Sequence, residues 1–177
     1  RLSFNPLRHI DPFGALMMVV AGFGWAKPVP VDMRYFKNPK SGMAITALAG
    51  PLSNFFLAYL ALTVYFGILP YALRSGGGAL LSGLLDFLAG LALLSIGLGF
   101  FNLIPFPPLD GFKVLGALLP NRLYYAALRF ERYGMLFLMA ALWMGYLDGP
   151  LYAGRSIILN LLVAGARWPY DLITSFL

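Results

Sequence analysis

Phe101-Asn102-Leu103-Ile104-Pro105-Phe106-Pro107-Pro108-Leu109-Asp110-Gly111 closes a long apolar run, breaks it with three prolines, and then presents a single carboxylate. Proline donates no N–H and cannot continue a helix, so the break frees backbone carbonyls that need other partners. A carboxylate held near hydrocarbon costs about 2.5–3.5 kcal/mol on insertion scales unless something pairs with it. Such a stretch is tolerated only where protein or a water-filled cavity meets it. Asp110 is therefore expected to face a polar pocket, with a metal ion as one candidate occupant.

The rest of the chain supplies the hydrocarbon context. Of its 177 residues, 60% are hydrophobic and 11% charged, where a soluble domain is roughly a quarter charged. The apolar residues come in long blocks rather than at amphipathic spacing, so the lipid bilayer is the expected partner. Thirteen Lys and Arg against seven Asp and Glu give a net charge of +6. These cations sit in loops beside the apolar blocks, as the positive-inside rule requires, and no aromatic-basic platform for nucleic acid is visible. Without cysteine there is neither a disulfide nor a thiolate metal site. The chain starts at Arg1 with no Met and no signal peptide, and reads as part of a longer product.

Taken in order, residues 1–12 form a loop with turn-starting Asn5-Pro6 and Asp11-Pro12. Residues 13–26 are apolar but shorter than the ~20 residues a spanning helix needs, so a re-entrant or interfacial segment is expected. The alternating prolines of Lys27-Pro28-Val29-Pro30-Val31 force an extended backbone, whose open edge can accept another extended peptide; a rigid surface linker explains the composition equally well. Met43–Leu69 and Leu80–Ile104 read as spans, the first kinked at Pro51 with Ser53 and Asn54 just beyond. Gly111–Pro120 reads as a short helix or an interfacial piece. Asn121–Leu147 reads as a third span with a cationic foot, and Leu151–Ala166 as a fourth span or a hairpin return. The expected fold is all-α: a multi-pass membrane protein with about four spans, a re-entrant segment and a short edge strand. Running the helix over 43–69 from inside to outside keeps nearly every cation on the cytoplasmic side, with Arg74 and Arg155 outside. Asp110 then lies near the cytoplasmic face, and the second Leu-Asp-Gly, at 147–149, on the opposite side.

The pattern Asn-x-x-Pro-x-Pro-Pro-Leu-Asp-Gly at 102–111 resembles the second catalytic signature of the site-2 protease family of intramembrane zinc metalloproteases. Residues 1–12 (Arg-Leu-Ser-Phe-Asn-Pro-Leu-Arg-His-Ile-Asp-Pro), 24–31 (Gly-Trp-Ala-Lys-Pro-Val-Pro-Val) and 49–54 (Ala-Gly-Pro-Leu-Ser-Asn) resemble stretches of the small prokaryotic members in the same order. Together they mark residues 1–120 as a protease-like core and 121–177 as accessory helices. The resemblance implies that Asp110 is a zinc ligand and that Asn54 lies near the metal, where it can help stabilise the oxyanion. It also implies that Lys27, Pro28, Val29, Pro30 and Val31 hold a transmembrane protein substrate extended.

One part of that signature is missing. The family's His-Glu-x-x-His supplies two zinc ligands and the general base, but this chain has one histidine, His9, and one glutamate, Glu131. Catalytic zinc needs about three protein ligands and an open position. The expectation is that one Zn2+ takes its remaining ligands from residues upstream of Arg1. The competing reading is a non-catalytic membrane scaffold or degenerate homologue that binds transmembrane segments. Homo-oligomerisation is left open.

Overall fold

A computed structural model of the chain describes residues 8–21, 27 and 31–176, with the side chains at 21, 33, 125 and 127–132 outside that description. It divides into two compact units, Arg1–Tyr35 and Phe36–Leu177.

In the first unit, α1 spans Pro12–Ala21. Asp11 starts it: its Oδ1 accepts from the amides of Phe13 and Gly14 at 2.9 and 3.0 Å, satisfying donors that the first turn leaves open. Proline at the first helical position loses nothing, because that N–H would have no partner. Ten residues rise only about 15 Å, half of a hydrocarbon layer, so α1 alone does not cross a membrane. The edge strand expected over Lys27–Val31 falls mostly on residues outside the description; beside it, Ile10 carries a single β-bridge. The Lys27 amide donates to the His9 carbonyl at 2.9 Å, Val31 and Asp32 are irregular, and Pro28, Val29 and Pro30 lie outside the described residues. One 3-10 turn at Met33–Tyr35 follows.

The second unit is built on α2, Pro39–Ser75, against which α3 (Ala79–Asn102), α4 (Asp110–Leu118), α6 (Asp148–Ala166) and α7 (Trp168–Phe176) all pack. The helix α2 outruns the sequence expectation at both ends. Pro39 occupies its first turn, and it passes through both Pro51 and Pro70 before Gly76, at φ 74°, turns it off in the left-handed conformation. The Ser53 hydroxyl donates to the Gly50 carbonyl at 2.7 Å, beside the break that Pro51 makes in the backbone ladder.

Small residues let the helices approach closely. A β-carbon at Gly99 of α3 would collide with the Phe55 ring of α2, and one at Gly154 of α6 with the Phe100 ring. The core holds Ala58, Ala61 and Leu62 of α2, Leu88, Ala92 and Ile96 of α3, and Ala166 of α6. Large apolar side chains such as Leu80, Phe87 and Leu94 point outward, the arrangement of helices solvated by lipid.

Two helices, α2 and α3, are long and apolar enough to cross a membrane. In α5 (Asn121–Trp143), the apolar half Tyr133–Trp143 meets Asp148–Phe176 at a bend of 88°, and counting that pair as one broken span gives three among the described residues. The packing of Gly154 on Phe100 fixes where α6 starts: at the Asn102 end of α3, with Ala166 in the core farther along. Asp148 and Arg155 therefore sit at the same end of the bundle as the proline break. This corrects the sequence expectation for the second Leu-Asp-Gly and for Arg155. That expectation assumed α5 was a full crossing, which would have carried the chain to the other side.

Candidate metal centre

The proline break is a compact corner. The amides of Leu103 and Ile104 close the end of α3 on the carbonyls of Phe100 and Phe101 at 3.0 and 3.1 Å. The Phe106 amide donates to Ile104 at 2.8 Å, and the Leu109 amide to Phe106 at 2.9 Å. The Pro107–Pro108 bond is cis. The corner delivers Asp110 as the first residue of α4, where a helix N-terminus favours negative charge. Buried Leu109 and Phe112 anchor it on either side.

Asp110 is half-buried, its side chain 31% exposed, and its two oxygens see different surroundings. Oδ1 accepts from the Lys113 ammonium at 3.0 Å, one helical turn on. Oδ2 points at α2, 3.6 Å from where a β-carbon of Gly50 would lie. Because Gly50 has none, a cradle is left in front of that oxygen. Asn54 lies four residues beyond Gly50, on the same face of α2. It is half-buried, and its side chain has no hydrogen-bond partner among the described residues. Pro51, between them, is fully buried and holds this part of α2 in place.

Among the described residues no three His, Cys, Asp or Glu come together. Asp110 offers one half-buried carboxylate oxygen facing an open cradle, which fits a single ligand position. A catalytic zinc needs about three, so these residues do not hold the ion by themselves.

The model of peptidase family M50 matches residues 10–145 of this chain. The chain belongs to peptidase family M50, the site-2 proteases. It is 38% identical over 168 residues to the Bacillus subtilis (strain 168) protein named "Putative zinc metalloprotease YwhC", an alignment that covers 93% of this chain and 76% of that protein. No solved structure matches. Family and relative support a membrane metalloprotease that uses zinc, and do not favour a non-catalytic scaffold.

Of the residues that the sequence singled out, Asp110 and the α2 face carrying Asn54 belong to one place, joined by the packing of α4 on α2. Lys27 and Val31 lie in the other unit. Two neighbours of Asp110 were missed. Lys113 was legible as an i, i+3 partner once α4 was drawn from Asp110. Gly50 was not, because only the helix-helix register shows which α2 residue meets the carboxylate.

Proposed function

We propose that Asp110 is one protein ligand of a catalytic zinc in an intramembrane endopeptidase that cuts membrane-spanning substrates. The remaining ligands and the general base come from a His-Glu-x-x-His segment outside these 177 residues. What supports the reading is the pairing of Asp110 Oδ2 with the missing side chain of Gly50: an acceptor turned toward empty space rather than toward its lysine. Zinc in such a site polarises water and the scissile carbonyl.

This chain's own residues bind and orient. Asp110 supplies a ligand oxygen, and Lys113 fixes its carboxylate through the other oxygen. The Asn54 amide, without a partner among the described residues, can donate to a substrate carbonyl oxygen as negative charge gathers there. Lys27, Pro28, Val29, Pro30 and Val31 hold the unwound substrate. The chain crosses the bilayer several times, with Asp110 toward the cytoplasmic face and residues 121–177 as accessory helices.

The test is zinc content and cleavage of a transmembrane reporter by the protein carrying the His-Glu-x-x-His segment. Asp110→Ala is expected to lose both, while Asn54→Ala keeps its zinc and loses turnover. Unchanged zinc in Asp110→Ala would remove the ligand assignment.

A further inference from the structure

An open groove of about 790 Å³ runs between α3 and α6, lined without Asp110, Gly50 or Asn54. Its α3 wall is apolar. At Gly90 and Gly97, seven residues apart on that wall, no atom lies within 4 Å of where a β-carbon would sit, leaving a shallow channel along the helix. The α6 wall carries Asp148, Tyr152 and Arg155, whose i, i+4, i+7 spacing places them in one line on one face.

Those two charges lack partners. The ion pairs among the described residues are Asp32–Arg34, Asp110–Lys113 and Arg167–Asp171, and neither Asp148 nor Arg155 joins one. They form no ion pair with each other; seven residues of helix separate their backbones by about 10 Å along the axis. Arg155 lies about two-fifths of the way along α6 beside apolar α3, where an unpaired cation is disfavoured in a bilayer. Asp148 opens α6 and its Oδ2 is turned back toward Gly145, away from Arg155 and toward the helix end.

We infer that this groove holds a zwitterionic phospholipid whose headgroup ends in a primary ammonium. The phosphate pairs with Arg155 and the Tyr152 hydroxyl, the ammonium pairs with Asp148, and an acyl chain lies along the Gly90–Gly97 channel. The order of charges is what selects this occupant. The base lies deeper and the acid nearer the helix end, as phosphate and ammonium lie in such a lipid. The long arginine stem can carry its guanidinium toward the helix end and so nearer to Asp148. A glycerol headgroup has no cation for Asp148, and a choline has no N–H to donate. An acidic helix from another protein would neutralise Arg155 and leave Asp148 bare. The inference rests on α3 lying in a bilayer and is independent of any metal at Asp110.

The experiment is native mass spectrometry of the full chain released from nanodiscs of equal phosphatidylethanolamine and phosphatidylglycerol. Wild type is expected to retain one phosphatidylethanolamine about tenfold over phosphatidylglycerol, a difference of about 1.4 kcal/mol. Asp148→Asn is expected to erase the preference while keeping a lipid bound. Arg155→Gln is expected to lower retention of both lipids. Equal retention of the two lipids by wild type overturns the inference without recourse to any variant. So does undiminished retention by a folded Arg155→Gln, or a photocrosslink from position 152 to a protein partner in place of lipid. Zinc content is not read, so the outcome stands apart from the protease assignment.

Discussion

Gly111 lies against the carbonyl of Leu103 so closely that a β-carbon at 111 would overlap it. The corner between α3 and α4 can fold this tightly only with glycine there, and the tightness aims Asp110. Gly111→Ala is expected to destabilise the protein by about 1–3 kcal/mol, the range for overpacking a closed site. Gly83→Ala, at a position on α3 with open space around it, is expected to leave melting unchanged or slightly raised. Thermal unfolding in detergent separates the two; equal losses would show that the corner is not close-packed.

The cradle facing Asp110 Oδ2 gives a graded series at Gly50. Alanine there meets the oxygen at 3.6 Å, ordinary van der Waals contact, so Gly50→Ala is expected to fold and keep zinc in the protein carrying the other ligands. Gly50→Leu fills the space, and is expected to lose zinc while remaining helical by circular dichroism. Retained zinc in the leucine variant would place the metal elsewhere.

Lys113 holds Asp110 Oδ1 at 3.0 Å, with both side chains about one-third exposed. A pair so open to water contributes about 0–1 kcal/mol. Lys113→Met is therefore expected to shift melting by no more than a few degrees, and to leave zinc binding intact or stronger because a competing cation is removed. A melting loss as large as that of Gly111→Ala would contradict this.

Lys40 joins three elements. Its ammonium donates to the Leu119 carbonyl at 2.6 Å and stands 5.2 Å from the centre of the buried Tyr124 ring. A charged hydrogen bond contributes about 1.5–3 kcal/mol and an exposed cation–π contact about 0.5–1. Lys40→Met is expected to cost about 2 kcal/mol and to speed amide hydrogen exchange around 119–124. Unaltered exchange there would mean the contact carries no load.

In the first unit, the Arg34 side chain binds Asp32 through contacts of 2.8–3.1 Å, and this pairing, helped by the Arg34 amide, holds the Asp32 carboxyl below its ordinary value of 3.8. A carboxyl depressed in the folded chain stabilises above the unfolded value and loses that contribution as pH falls through the folded one. NMR titration is expected to find the Asp32 midpoint below 3.8, and to find it returned toward 3.8 in Arg34→Met. Identical midpoints in the two proteins would exclude the pairing.

Asp110 and the two long helices were legible because their signals are local: a triple-proline stop, runs of apolar residues, a carboxylate just past the stop. The ends of α2 were less so. Pro70 looks like a terminator, yet an apolar surround lets a helix pass through a proline, and the real stop is the glycine run that begins at Gly76. Helix α5 misled for a related reason. Its hydrophobic half suggested a crossing, but an 88° bend follows, at a turn where Gly145 takes the left-handed conformation. Gly50 stayed hidden because a residue defined by its missing side chain leaves no mark until its neighbour is known.

That α2 touches α3, α4, α6 and α7 has a consequence for assembly. During synthesis this rod leaves the ribosome before every one of its neighbours, and α7, nearly a hundred residues later, is the last to reach it. Each arriving element finds a finished template. An insertion fault in α2 therefore spreads to every later docking step, whereas a fault in α7 strands only the tail.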